Sequence, residues 1–170
     1  MPIRFAFAAA ASLALQFAVT ASAEASNCDR FAQHRDGYLD RAAAGMGQAL
    51  DQLAAQRQVP REAAAFYWGG DLMRAGDASS QRSLALLTLA TYEWAGHESR
   101  AETAMADIFH NRGNAFAGLL VGLMLSDRRG EPDNYRARAY LRDASRAGNE
   151  EARAFLGLFD ACHGRALAAN

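Results

Sequence analysis

The sequence lacks the motifs that mark enzymes and metal sites. Its 170 residues contain no G-x-S-x-G, no phosphate-binding glycine loop and no carboxylate pair in a recognisable frame. The four histidines do not have the spacing of metal ligands; they are His34, His97, His110 and His163. We therefore predict a non-enzymatic protein with neither a cofactor nor a metal ion.

Lysine is absent as well, and all 18 basic residues are arginine. With so much alanine, this bias is most simply that of a GC-rich bacterial genome, although arginine also suits bidentate contacts with carboxylates. Without Arg4, which belongs to the leader described next, 17 basic residues stand against 19 acidic ones. The resulting charge of −2 argues against a general binder of nucleic acid or of membrane surfaces.

Long apolar runs are missing everywhere except near the N-terminus. Arg4 precedes an apolar run from Phe5 to Val19, which is too short for a spanning helix, and Ala21-Ser22-Ala23 has the pattern of a cleavage site. We predict that residues 1–23 are a cleaved signal peptide and that the mature chain begins near Glu24. The expected location is periplasmic or secreted, with no membrane insertion after cleavage.

Cysteine is scarce, with only Cys28 and Cys162 near the two ends of the mature chain. In an exported protein such a pair most simply forms a disulfide, although free thiols or a link between chains are alternatives. A disulfide needs Cα atoms within about 7 Å, so either the helical array must be short and compact or the N-terminal segment must run back along it. A zinc site made from both cysteines with His34 and His163 would require reduced thiols.

Helical periodicity begins in the N-terminal segment, residues 24–58. Between Asp29 and Gln56 apolar residues recur every three or four positions, which predicts a helix with one buried stripe. Gly37, Gly45 and Gly47 weaken the pattern, and we allow a break near Gly37 or Gly45. A helix of this length, about 42 Å, could return one terminus to the other. The stripe consists of Phe31, Tyr38, Leu39, Ala42, Met46, Leu50 and Leu53.

Residues 59–165 repeat a helix–turn–helix pattern. The motif Ala117-x-x-x-Val121-Gly122 opens an apolar helix, and Ala152-x-x-x-Leu156-Gly157 restates it after 35 residues. A degenerate copy begins at Ala65, 52 residues before the first motif. Such periods are typical of stacked helix pairs, and we predict about seven helices in all. The pattern leaves open whether residues 99–126 form one repeat or two partial repeats.

The turns between these helices are predicted from glycine, proline and short polar residues. A polar turn over residues 77–81 precedes a helix over residues 83–95. A second turn over residues 127–134 precedes a helix over residues 135–147. Residues 166–170 are predicted to be a C-terminal tail.

The C-terminal copy resembles the Sel-one-like repeat family, which is related to the tetratricopeptide repeats. That family combines an Ala-x-x-x-Leu-Gly helix, a glycine-containing turn and a second helix ending in Ala-x-x-Gly-x-x-x-Ala. The resemblance covers roughly residues 65–160 and implies an all-α fold, a short right-handed α-solenoid. Residues 24–58 match nothing in the family, and we predict from the disulfide that their helix packs against the solenoid. It also implies a scaffold whose concave face binds peptides or proteins, usually without enzymatic activity. The matching positions are Ala117, Val121, Gly122, Gly130, Asp133, Ala137, Leu141, Ala144, Ala147, Gly148, Ala152, Leu156 and Gly157.

Two groups of residues are candidates for protein binding. Arg138, Arg142 and Arg146 stand at i, i+4 and i+8 of one helix and could receive a partner's carboxylates. They could equally form a solvated face that is paired with acids such as Asp143 and Glu150.

The second group is aromatic and includes Tyr67, Trp68 and Trp94. Residues 66–68 are three consecutive aromatics, and because each helical step turns by about 100°, they cannot all face one core stripe. At least one should approach the surface or meet the N-terminal helix. The group therefore either packs beneath the N-terminal helix or anchors a partner, since tryptophan, tyrosine and arginine dominate interface hot spots.

These observations predict an exported adaptor or scaffold that binds another protein of the bacterial cell envelope. A periplasmic immunity-type inhibitor, which would occlude a toxic secreted enzyme, fits a small exported chain with a disulfide equally well. An envelope-remodelling enzyme and an α-helical bundle unrelated to repeats are the remaining alternatives.

Overall fold

The computed structural model describes the backbone of residues 6–94, 98–127 and 131–167, and the side chains of residues 27–92, 100–127 and 133–164. The predicted signal peptide, residues 1–23, therefore lies outside the residues whose side chains are described. Every regular element of the described chain is a helix, and the all-α prediction is confirmed. The seven helices are α1 (Ala6–Arg57), α2 (Arg61–Ala75), α3 (Ala78–Trp94), α4 (Glu98–Arg112), α5 (Ala115–Asp127), α6 (Glu131–Arg146) and α7 (Glu150–Leu167).

The helix α1 continues without a break through Gly37 and Gly45, where the sequence allowed one. Its buried side chains lie on both sides of these glycines: Phe31 packs in one apolar cluster, and Met46 and Leu50 pack in another. Tertiary packing therefore keeps the chain helical at these glycines, although glycine by itself disfavours a helix. None of the described helices combines the length and apolarity that crossing a membrane requires.

The helix α3 begins at Ala78, five residues earlier than predicted. The carboxylate of Asp77 accepts hydrogen bonds from the backbone N–H groups of Ser79 and Ser80, at 2.9 and 3.0 Å. It therefore caps residues that the sequence assigned to a turn. Gly76 adopts the left-handed conformation with φ of 68° and ends α2, so two residues suffice to reverse the chain.

Two other boundaries also differ from the prediction. The helix α6 begins at Glu131 rather than at residue 135, and Pro132 lies in its first turn, where an N–H group has no intrahelical partner. The helix α7 extends to Leu167, so residues 166 and 167 of the predicted tail are helical.

The helices form two layers, and α1 lies along one of them. Each helix packs against its neighbours in sequence, and α3, α5 and α7 also contact one another in order. In the part of the chain described, α2, α4 and α6 make no such contacts among themselves. The helix α1 packs against α2, α3, α5 and α7, and so occupies the face of the α3–α5–α7 layer. A solenoid-like stack with the N-terminal helix packed against it is thus confirmed.

The two sequence offsets relate different kinds of helices. The 35-residue offset relates α5 to α7, which lie in the same layer, whereas the 52-residue offset relates α2 to α5, which lie in different layers. Only the shorter period therefore matches the stacking. Residues 99–126 contain α4 and α5, which pack against each other. This segment therefore has both helices of a helix pair.

The helix α5 lies at the centre of the core, with most of its residues buried. A helix that is apolar on all sides needs neighbours all round. Its glycines allow those neighbours to come close: a Cβ atom on Gly122 would lie 2.8 Å from Leu141 Cγ and 3.2 Å from the Ala137 carbonyl oxygen. Gly122 thus stands where α5 and α6 approach each other closely.

We expect Gly122→Ala to lower the free energy of unfolding by about 1–3 kcal/mol, because the new methyl group must displace α6. Gly45→Ala is the matched control, since a Cβ atom there would meet nothing within 4 Å. That substitution should stabilise the fold by up to about 1 kcal/mol through helix propensity. Urea unfolding of the two variants measures both effects, and equal shifts in the same direction would contradict the close contact.

A disulfide joins Cys28 on α1 to Cys162 on α7, with Cα atoms 4.6 Å apart. Both thiols are used in this bond, so the alternatives of a zinc site and of free thiols are wrong. Three residues further along α1, the ring of Phe31 packs edge-on against Phe159 and Phe155, at centroid distances of 5.4 and 6.4 Å. A disulfide is compatible with an oxidising, extracytoplasmic location.

Candidate protein-binding groove

An apolar groove with a volume of about 650 Å³ lies between α2 and α4 and has α3 as its floor. We call it the α2–α4 groove. The helix α2 presents a stripe to it with the spacing of one helix face, while α4 contributes Ile108. The lining residues are Glu62, Ala65, Phe66, Tyr67, Gly69, Gly70, Met73, Arg74, Leu84, Leu87, Thr88, Thr91, Tyr92 and Ile108.

Large apolar side chains are exposed along this groove. Phe66 is 78% exposed, Tyr67 54% and Met73 45%, and Tyr135 on α6 is the one other large hydrophobic residue of comparable exposure among the described residues. Single exposed apolar residues are ordinary, whereas a contiguous group beside a cleft is typical of an interaction surface. The groove therefore has the composition of a binding site.

Of the three aromatic candidates from the sequence, only Tyr67 lines this groove. Trp68, the next residue, is half-buried and packs with Met46 and Leu50 beneath α1, as the packing interpretation expected. The side chain of Trp94, the last residue of α3, lies outside the described residues. The prediction that at least one of residues 66–68 approaches the surface agrees with the structure. Phe66 and Met73 were not predicted as site residues. They lie two helical turns apart on α2 and both line the groove.

The neighbouring gap, between α4 and α6, is bridged by side chains. Tyr140 on α6 packs its ring 5.7 Å from that of Phe109, and its hydroxyl lies 3.1 Å from His110 Nε2. Arg136 Nη2 donates to Glu102 Oε1 at 3.1 Å. In the α2–α4 gap, by contrast, the described side chains line the open groove. The chain thus closes one gap of the outer layer and leaves the other open.

The predicted arginine stripe is paired with acids of the chain itself. Arg138 binds both carboxylate oxygens of Asp160 on α7, at 2.7 and 3.2 Å, and this hydrogen bonding raises its pKa. Arg142 and Arg146 share Asp143, at 3.0 and 3.7 Å. These pairs support the interpretation as a solvated face, because cations that already have partners offer less to a ligand. Binding by this stripe stays a prediction.

A polar junction that the sequence did not reveal joins α1, α3 and α7. Glu151 accepts from Arg82 through both carboxylate oxygens, at 2.9 and 3.1 Å, and from the Tyr38 hydroxyl at 2.9 Å. The guanidinium of Arg82 also lies 4.3 Å from the ring centroid of Phe116. Burial and the neighbouring Glu151 carboxylate raise the pKa of Tyr38. The Tyr38 hydroxyl and the Arg82 guanidinium both donate to Glu151, so this junction ties α1, α3 and α7 together.

A second cavity, of about 510 Å³, lies beside the disulfide. Its buried cation, Arg35, donates to the Ser126 carbonyl oxygen at 3.1 Å and pairs with Asp36 and Asp127. His163 packs on Phe159 at a centroid distance of 4.5 Å, and burial lowers its pKa. Within the described residues no three potential metal ligands cluster. The buried cation of this cavity is paired within the chain, and the α2–α4 groove is the better candidate site.

Fold and groove together define an all-α, solenoid-like protein with an open apolar groove on its outer layer. Comparison of the chain with protein-family models, with curated proteins and with solved structures finds no match. The resemblance to Sel-one-like repeats accordingly stays a prediction from the residues that carry it.

Proposed function

We propose that this chain is an exported, non-enzymatic helical-repeat protein of the Sel-one-like type that binds another protein in the bacterial cell envelope, and that the α2–α4 groove is its binding site. The observation that carries the proposal is the group of exposed apolar side chains, Phe66, Tyr67 and Met73, at an unfilled groove. Burying such side chains on a partner supplies the main driving force of association.

The position of α1 supports the choice of this groove. In a solenoid the face of the inner layer commonly receives the partner, but here α1 packs along α3, α5 and α7. That face is therefore filled by the chain itself. The open surface that remains lies between α2 and α4, where a preformed groove would dock a partner with little ordering cost.

The export part of the proposal rests on the leader-like residues 1–23 and on the disulfide. A Cys28–Cys162 bond forms and persists in oxidising compartments such as the periplasm. An adaptor acting there needs a stable surface rather than chemistry. The groove offers apolar area and no cluster of catalytic groups in the described residues.

Site-specific photo-crosslinking in the living bacterium tests the proposed function. A photoreactive benzoyl-phenylalanine at position 66 should give a light-dependent adduct with one envelope protein. The same residue at position 135 is the matched control, because Tyr135 is also exposed but lies on α6, away from the groove. The adduct partner, once identified and purified, should bind the wild-type chain at least tenfold more tightly than the double variant Phe66→Ala/Tyr67→Ala. Equal adducts from both positions, or none from position 66, would contradict the proposal.

A further inference from the structure

We infer that a second copy of this chain covers the α2–α4 groove while the partner is absent, and that the two copies pack through antiparallel α2 helices. This inference rests on the proposed function, because it takes the groove to be a protein-binding surface and names what covers that surface before the partner does. Partner binding then requires the dimer to dissociate, so self-association regulates the site.

The outer face of α2 carries the apolar side chains that a second copy covers. The opposite face packs inside the chain through Ala64, Trp68 and Leu72. Phe66, which is 78% exposed, lies on the outer face, and its ring packs edge-on against Tyr67 at a centroid distance of 5.8 Å. Because the two rings already contact each other, they lose little freedom on binding. They form a preformed apolar knob.

A notch lies beside this knob on α2, at Gly69 and Gly70. A Cβ atom on Gly70 would lie 3.8 Å from Arg74 Nη1, an ordinary contact distance, so a side chain of another chain has room above the α2 backbone. Phe66 stands about one helical turn before Gly70. In an antiparallel pair centred on position 68, Phe66 of each copy therefore lies level with Gly70 of the other. The two-fold symmetry makes this knob-and-notch contact twice.

The charges that line the groove are balanced, and they stand at opposite ends of α2. Glu62 and Arg74 both line it, six residues to either side of position 68. In the antiparallel pair each Glu62 lies level with Arg74 of the other copy, whereas a parallel pair would place like charges side by side. A lining without excess charge does not select a charged partner. Opposite charges at the two ends of one helix favour an antiparallel copy.

Both side chains can make this contact without losing one inside the chain. Arg74 is 76% exposed and pairs with Asp71 of its own helix, and its guanidinium has five N–H donors, enough for a second carboxylate. Arg61, the neighbour of Glu62, pairs instead with Asp51 on α1, at 3.3 Å. Dimerisation therefore adds two ion pairs to the apolar contacts.

Sedimentation equilibrium of the chain, exported and purified with its disulfide intact, tests for the dimer. The chain should be dimeric at about 100 μM and dissociate on dilution to about 1 μM. Phe66→Ala removes the knob and should weaken the dimer at least tenfold. Tyr135→Ala is the matched control, because Tyr135 is 70% exposed on α6, away from the groove, and should leave the dissociation constant within twofold. A chain that stays monomeric at the higher concentration, or equal weakening by both substitutions, would overturn the inference.

Filling the notch tests the same contact from its other side. Gly70→Gln places a polar side chain where Phe66 of the other copy enters, and it should weaken the dimer at least tenfold. Gly45→Gln makes the same change at an open helical glycine of α1 and should leave the dissociation constant within twofold. Glutamine forms helices better than glycine, so both variants should stay folded. Equal dimerisation of the two variants would contradict the notch.

Charge reversal at the two ends of α2 tests the antiparallel arrangement. Glu62→Arg and Arg74→Glu should each weaken the dimer about tenfold, because each sets like charges together twice in a symmetric pair. An equimolar mixture of the two variants should form a heterodimer of about wild-type affinity, since both of its end contacts join an arginine to a glutamate. Arg153→Glu is the matched control at an exposed arginine that pairs within α7, and it should leave the dimer unchanged. A mixture that associates no better than either variant alone would overturn the arrangement.

The dimer and the proposed function can fail separately. A photoreactive residue at position 66 gives adducts that differ in mass, one of two copies of the chain and one of the chain with an envelope protein. A monomeric chain that captures an envelope protein contradicts the dimer and leaves the proposed function standing. If the adduct of two copies is the only one, the dimer stands and the proposed function fails. Where both adducts form, the purified partner should dissociate the dimer, and a partner that binds the intact dimer would overturn the inference.

Discussion

Replacing both cysteines, as in Cys28→Ser/Cys162→Ser, should lower the free energy of unfolding by about 4–5 kcal/mol. The bond closes a loop with a sequence separation of 134 residues, and the chain-entropy model assigns an effect of this size to so long a loop. The helices should still form, since the apolar contacts between α1 and α7 do not depend on the bond. In a chain of this length the melting temperature should fall by roughly 10–20 °C, as thermal denaturation followed by circular dichroism would measure.

A reductant supplies the control for this prediction. Reduction of the wild-type chain should lower its melting temperature by about as much as the double substitution does, and reductant should leave the double variant unchanged. If the variant melted within 3 °C of the oxidised wild type, the bond would not constrain the unfolded chain as the loop length implies. Loss of all helix in the variant would instead show that the contacts of α1 cannot form without the bond.

Much of the fold could be predicted because helices leave a periodic record in the sequence. The stripe from Phe31 to Leu53 and the glycines after α2 and α6 determine where helices exist and where two of them end. The starts of α3 and α6 were misplaced because both lie in polar segments. There, capping by Asp77 and a proline in the first turn extend the helix beyond its apolar pattern.

The layers could not be predicted from the repeats alone. The motif Ala-x-x-x-(apolar)-Gly marks a position where a neighbouring helix comes close, as at Gly122. It does not indicate the layer to which its own helix belongs. For this reason the 52-residue offset matched two helices from different layers, while the 35-residue offset matched two from the same layer.

The candidate groove was only partly visible in the sequence. The 100° rotation per residue showed that residues 66–68 cannot all be buried, and Phe66 and Tyr67 are indeed exposed. The groove itself depends on Ile108, which lies 42 positions after Phe66 and lines the same groove from α4. Similarly, the acid that neutralises Arg138 is Asp160 on another helix. The order of residues along the chain does not indicate which charged side chains of different helices form ion pairs.

Phe31→Ala should lower the free energy of unfolding by about 3–5 kcal/mol. The ring of Phe31 is 2% exposed and packs edge-on against both Phe155 and Phe159, so its removal leaves a cavity between α1 and α7. Phe31→Leu is the matched control. It keeps much of the apolar volume, and its cost should stay below about 1.5 kcal/mol. Chemical denaturation of the two variants, with the disulfide intact, measures the difference.

The disulfide makes this prediction informative about how α1 is held. With Cys28 and Cys162 joined, the cavity of Phe31→Ala should loosen the contact between α1 and α7 without separating the two helices. Hydrogen exchange should then rise in α1 near Phe31 and stay low in α5, the most deeply buried helix. Without the bond, the two losses together approach the whole stability of an ordinary domain, and the chain should be largely unfolded. A cost below 1 kcal/mol for Phe31→Ala would show that the aromatic contacts do not hold α1 in place.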